Sequence, residues 1–143
     1  MKIYKNLNIK KKHKNSVVAI GNFDGIHAGH QKVIAQAKLK AKKNKLPLGI
    51  ITFEPVPVMF FNRKIQNHRI NSLDQKKTQL KRFKIDYMII IKFNKSFSSL
   101  SANQFIKKVI YNKIKSRYVF VSKNFKFGKK RQGNIMALRN YEN

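Results

Sequence analysis

The chain of 143 residues is long enough for one domain with its own core, and the absence of cysteine excludes disulfides and thiolate metal sites. No apolar run approaches the roughly 20 residues of a membrane-spanning helix, so the expected setting is the cytoplasm, without a membrane partner. Lysine and arginine number 33 against five acids, a formal net charge of +28; only six are arginine and the lysines are spread along the chain, so we read the charge as a solvated surface rather than a nucleic-acid platform.

The first predicted strand is the apolar run Val17-Val18-Ala19-Ile20, with the character of a buried parallel strand. It runs into Gly21-Asn22-Phe23-Asp24-Gly25-Ile26-His27-Ala28-Gly29-His30-Gln31. Glycines and histidines therefore stand between a strand end and a helix start. There, outward backbone N–H groups and the helix dipole favour a phosphate. The imidazoles of His27 and His30 are spaced to face one phosphate and to stabilise charge on its non-bridging oxygens. A metal site would need further ligands that the sequence does not offer, so no protein-held metal is expected. The plain alternative has both histidines as capping or surface residues.

The following helix places Val33, Ile34, Ala37 and Ala41 on one face, with Lys32, Lys38, Lys40, Lys42 and Lys43 on the solvated side. Asn44 reads as its stop. A second strand, Leu48 to Phe53, ends at Glu54-Pro55 and completes a parallel β-turn-α-turn-β unit. The segment Thr52-Phe53-Glu54-Pro55-Val56-Pro57 is a rigid exit, either a pocket wall or a simple terminator. Pro55 to Asn71 is irregular, and its Phe60-Phe61 pair suits either stacking on a planar ligand or the core.

Ser72-Leu73-Asp74-Gln75 has capping-box spacing and opens a helix to about Phe83. Asp86 precedes a third strand, Tyr87 to Ile91. Ser101-Ala102-Asn103-Gln104 is a second capping box, opening a helix with Phe105, Ile106 and Val109 inward. Tyr118 to Val121 is the fourth strand. After it, Asn124 to Arg131 alternates aromatic and basic residues, as a nucleic-acid platform or a loop holding an aromatic phosphate ester would.

Alternating strands and helices predict a single α/β domain, a Rossmann-like doubly wound parallel sheet. Ligands bind such sheets beyond the carboxyl ends of the strands. The segments Gly21–His30, Glu54–Phe61, Phe93–Phe97 and Ser122–Gly133 all start there and should converge on one crevice. Among the few acids, Asp24 and Glu54 stand in the most distinctive segments.

The first of these segments resembles the signature of the bacterial FAD synthetases, the bifunctional riboflavin kinase/FMN adenylyltransferases. Further motifs follow in order: Thr52-Phe53-Glu54-Pro55-x-Pro57 with Phe61, then Phe97-x-x-Leu100-Ser101-x-x-x-Phe105, then Asn124-Phe125-x-Phe127-Gly128-x-x-Arg131-x-Gly133. The resemblance runs from about Val17 to Gly133, and the combination is far more specific than His-x-Gly-His alone. It implies the fold of the HxGH nucleotidylyltransferases and transfer of AMP from ATP to FMN, giving FAD and pyrophosphate, with Mg²⁺. His27 and His30 would be catalytic. Gly21, Asn22, Phe23 and Gly29 would shape the ATP site, with Asp24 fixing the loop. Pro55, Pro57, Phe61, Phe105, Asn124 and Phe127 map to the FMN side.

The chain departs from the family pattern at Val56, where histidine is usual, and at Ser122, where glycine is usual. A Ser-Ser-Thr-x-x-Arg type segment and a riboflavin kinase domain are expected to follow in the family. Residues 1–143 therefore read as an adenylyltransferase domain incomplete at its C-terminus. Two other readings stand beside this one: an HxGH nucleotidylyltransferase with another acceptor, and a basic nucleic-acid-binding protein.

Overall fold

The computed structural model describes residues 1–24, 26, 28–54 and 73–140. It contains a five-stranded sheet of β1 (Lys2–Tyr4), β2 (Val17–Ile20), β3 (Leu48–Glu54), β4 (Tyr87–Lys92) and β5 (Tyr118–Phe120). The order is β1-β4-β3-β2-β5, with every neighbouring pair parallel. The four predicted strands are present, and β5 ends one residue earlier than expected. The fifth, β1, was not anticipated. Its apolar content is Ile3-Tyr4 between lysines, too short to show a period; its place is set by pairing with β4 and by the Lys2 N–H bond to the Asp86 carbonyl, 3.0 Å.

The helices are α1 (Ala28–Asn44), α2 (Leu73–Lys81), α3 (Lys95–Ser98), α4 (Ala102–Gln104, continuing as a π-helix over Phe105–Ile114) and α5 (Ile135–Arg139). Successive residues of β2 serve opposite faces of the sheet, as the period of two demands. Val17 and Ala19 pack with Ile50, Met88 and Ile90 against Ile34 and Ala37 of α1 and Leu80 of α2. Val18 and Ile20 pack with Ile51, Tyr87 and Ile89 against the buried side of α4. The sheet is thus covered on both faces.

In α1 the buried residues are Val33, Ile34, Ala37 and Ala41, the face read from the sequence. The Ser101–Gln104 capping box forms with both of its bonds: Gln104 N–H to Ser101 Oγ at 3.1 Å and Ser101 N–H to Gln104 Oε1 at 2.9 Å. Beyond it the wider π winding brings Ile110 and Ile114 inward with Phe105, Ile106 and Val109. The expected irregular stretch to Asn71, and Ser72 of the first capping box, lie outside the described residues.

At the amino ends of the strands, Gly49 permits a close approach. A Cβ there would stand 2.1 Å from the ring of Tyr87, which lies across it. The Tyr87 hydroxyl meets Ser16 Oγ, and its ring stacks on His13 at 4.8 Å between centroids. Lys10 N–H donates to the Tyr4 oxygen, which also shares a hydrogen bond with His13 Nδ1, 2.6 Å away. Burial, then the neighbouring Lys12, holds the His13 pKa below its ordinary 6.5. Burial also pushes the Tyr87 phenol up to about 12.

Candidate functional site

The chain lays down β2, β3 and β4 side by side in one direction, then returns to place β5 on the free side of β2. The order therefore reverses between β2 and β5, where an open α/β sheet leaves a crevice beyond its strand ends. A cavity of about 1030 Å³ occupies that place. One wall is Ile20, Gly21, Asn22, Phe23 and His30; the facing wall comes from Phe53 near the end of β3 and from the segments after β4 and β5.

The β2 turn is tied to β3 at successive residues. Gly21 N–H donates to the Ile51 carbonyl at 3.1 Å, and the Thr52 hydroxyl donates to the Asn22 carbonyl at 3.1 Å. Phe23 and Ile26 then take left-handed backbone angles, φ 50° and 40°. Such angles are costly for bulky residues and persist only where the surroundings hold them. Burial of both side chains does so here, Phe23 being 1% exposed. The Phe23 ring meets His30 edge-on at 5.3 Å, which orients the imidazole in the first turn of α1. The positive end of the α1 dipole reinforces this wall for an anion. Asp24 and Gly29 lie on the same turn, half-buried and exposed respectively, and neither lines the cavity.

The other wall is aromatic. Phe53, Phe93, Phe97, Phe105, Phe127 and Phe125 touch in a chain with ring centroids between 5.2 and 6.1 Å apart. Local structure sets their positions. Asn94 caps α3 by accepting from Phe97 N–H at 2.8 Å. Phe127 is pinned by paired backbone bonds with Gly133, at 3.1 and 2.7 Å. Gly128, at φ 78°, lets this loop press on Ala102 at the start of α4, and Lys129 N–H donates to the Leu100 carbonyl at 2.6 Å. Asn124 stands exposed on the same rim, with Lys95, Lys126, Lys129, Lys130 and Arg131.

Of the residues expected at the site, Gly21, Asn22, Phe23, His30, Phe105, Asn124 and Phe127 are brought around one cavity. His27, Pro55, Pro57 and Phe61 lie outside the described residues, as does most of the Glu54–Phe61 segment. Sequence reasoning brought the segment Phe93–Phe97 to the crevice and allowed the exit of the second strand as a pocket wall, but gave Phe53, Phe93 and Phe97 no individual role in the site. The available signal was their position at strand ends, at the same sheet edge as the glycine turn. It also passed over Lys76, which the structure buries in α2 beside Thr52.

The donor set bears on Mg²⁺. No carboxylate lines the described cavity, and among the described residues no group of three or more His, Asp or Glu could hold a metal. The described lining therefore offers no carboxylate of its own to a divalent ion.

The description of the matching family is FAD synthetase, over residues 9–143. A bifunctional riboflavin kinase/FMN adenylyltransferase of Buchnera aphidicola subsp. Schizaphis graminum is 43% identical over 132 residues, covering 92% of this chain and 42% of the relative. The protein of that name from Escherichia coli K12 is 30% identical over 123 residues, covering 86% of this chain and 39% of the relative. The chain thus spans less than half the length of these relatives. A crystal structure described as a macrolide-efflux protein from Streptococcus pneumoniae has the same fold, with TM-score 0.81 and 26% identity over 98% of this chain and 46% of the other. Among the described residues here, no helix is long and apolar enough to cross a membrane.

Proposed function

This chain belongs to the FAD synthetase family, and we propose that its crevice transfers AMP from ATP to FMN, forming FAD and releasing pyrophosphate. The observation that carries the proposal is the cavity itself: a glycine turn with His30 at a helix start on one side, an aromatic wall with Asn124 on the other, at the sheet's reversal point. The first side suits a nucleotide phosphate, and the second suits a flat, largely apolar ring system with one polar edge.

In this reaction an oxygen of the FMN phosphate attacks the α-phosphorus of ATP. A P–O bond forms as the bond to the β-phosphate bridge breaks, and pyrophosphate leaves with that electron pair. No covalent enzyme intermediate is needed, so positioning and electrostatics carry the rate. His30, fixed by Phe23, and His27 would stabilise charge on the α-phosphate oxygens. Gly21, Asn22, Phe23, Asp24 and Gly29 would form or brace the ATP side. Phe105, Asn124 and Phe127, with Pro55, Pro57 and Phe61, would form the FMN side. Mg²⁺ bound with ATP would neutralise phosphate charge.

We place the reaction in the cytoplasm, in keeping with a chain free of cysteine. The basic surface serves to attract anionic small molecules rather than nucleic acid. Thermal melts and FAD assays with FMN, riboflavin, other phosphorylated acceptors and several nucleoside triphosphates test this reading. FMN and ATP should each raise the melting temperature, and FMN with ATP should be the productive pair. Absence of binding by both at millimolar concentration would refute it; a preference for another acceptor would keep the fold's chemistry but replace FMN.

A further inference from the structure

We propose that Lys76 is a positioning residue for the nucleotide, acting from α2 through Thr52 on the turn that receives the phosphates. The proposal rests on the adenylyltransferase reading above. Lys76 is 1% exposed, a placement that lysine almost never takes unless paired. Its Nζ lies 3.4 Å from Thr52 Oγ1, at the long end of hydrogen bonding. The Thr52 hydroxyl gives its single proton to the Asn22 carbonyl at 3.1 Å, so it offers Lys76 a lone pair. Ammonium, hydroxyl and carbonyl therefore form a chain in which every donor points the same way, and each bond polarises the next.

The chain ends on a residue of the cavity wall. Asn22 lines the cavity directly after Gly21, whose N–H is itself held by Ile51. The turn is thus gripped by its amide at one residue and by its carbonyl at the next, and both grips come from β3. Packing alone would not call for a cation here, because an apolar side chain fills similar space without the cost of desolvating a charge. What the ammonium adds is positive charge one hydroxyl away from the turn, in a place where water screens little of it. That charge favours a polyphosphate on the β2 side of the crevice. Its effect on the aromatic wall should be smaller, since apart from Phe53 that wall belongs to the segments after β4 and β5.

The test is a pair of titrations, ATP and FMN, on the wild-type chain, Lys76→Met and Thr52→Val, with a thermal melt of each. Both variants should weaken ATP binding about tenfold, the loss of one hydrogen bond involving a charged group, while FMN affinity stays within about twofold. The melting temperature of each variant separates a loss confined to ATP from a general loss of stability. Unchanged ATP affinity in a wild-type background that binds ATP would overturn the role of Lys76 and leave the adenylyltransferase reading intact. Parallel losses of both ligands, tracking a fall in melting temperature, would equally overturn it in favour of a structural lysine. A wild-type chain that binds no ATP would overturn both together. Should Lys76→Met fail to fold, Thr52→Val decides alone, because it cuts the chain while leaving the lysine in place.

Discussion

Replacing Gly128 with alanine should loosen the aromatic wall of the crevice. Gly128 sits at φ 78° and ψ 173°, a region essentially reserved to glycine, where a side chain costs about 1–3 kcal/mol. The added Cβ would stand 2.7 Å from Ala102 N and 2.8 Å from Ala102 Cα, where ordinary contact begins at 3.4 Å. Both neighbours are backbone at the start of α4, so the loop must lift rather than a side chain rotate. Crowding of this kind costs about 1–3 kcal/mol, and one shift relieves part of both strains, leaving about 2–4 kcal/mol in all. For a chain of this size that lowers the melting temperature by about 6–15 °C. Circular-dichroism melts measure it, and flavin fluorescence at a temperature where both proteins are folded measures the site. FMN affinity should fall as well, because Phe127 and Asn124 ride on the same loop. Lys126→Ala, on an exposed neighbour, is the control and should change stability by less than about 0.5 kcal/mol. A Gly128→Ala protein melting within about 2 °C of wild type would refute the argument from the Ala102 contact.

His30→Ala should lower the rate of FAD formation by about 10²–10³-fold, the scale of one transition-state donor, with FMN affinity unchanged in a direct titration. The lowered pKa of His13 has a definite sign: below its ordinary 6.5 the unfolded chain takes up a proton that the folded protein resists. Urea midpoints should therefore be flat above that pH and fall below it, and His13→Gln should remove that slope. The Tyr87 phenol, raised to about 12, should show no tyrosinate absorbance as pH passes 10, and its contribution to stability should decline from that pH upward as the unfolded chain ionises first. Tyr87→Phe leaves the fully buried Ser16 hydroxyl without this partner, at a cost of about 1–3 kcal/mol. Adding Ser16→Ala should recover part of that loss in a double-mutant cycle.

The apolar periodicity of α1 and the Ser101–Gln104 capping box were legible in the sequence because each is a local pattern with one physical meaning. The same holds for the glycine turn after β2, whose place at a strand end predicted its place on the crevice. β1 was not legible, because two apolar residues make a strand only when β4 is already beside them. Phe53 stood in a strand exit read as either a pocket wall or a terminator, since whether the last residues of a strand face core or cavity depends on what crosses above them. The continuous wall from Phe53 to Phe125 is a long-range property: it joins the ends of three strands that are far apart in the chain. Lys76 was invisible for a different reason. In a chain with 33 basic residues, one lysine that turns inward carries no mark distinguishing it from those that do not.

The two outermost strands, β1 and β5, are each three residues long, and they flank longer strands in the middle of the sheet. A sheet edge is a template for any other extended chain, and its danger grows with the length of backbone it leaves unpaired. Here each outer strand is short, and β1 places Lys2 beside Ile3 and Tyr4. Among the described residues, the same strand order that opens a crevice at one end of the sheet also leaves short strands at its flanks.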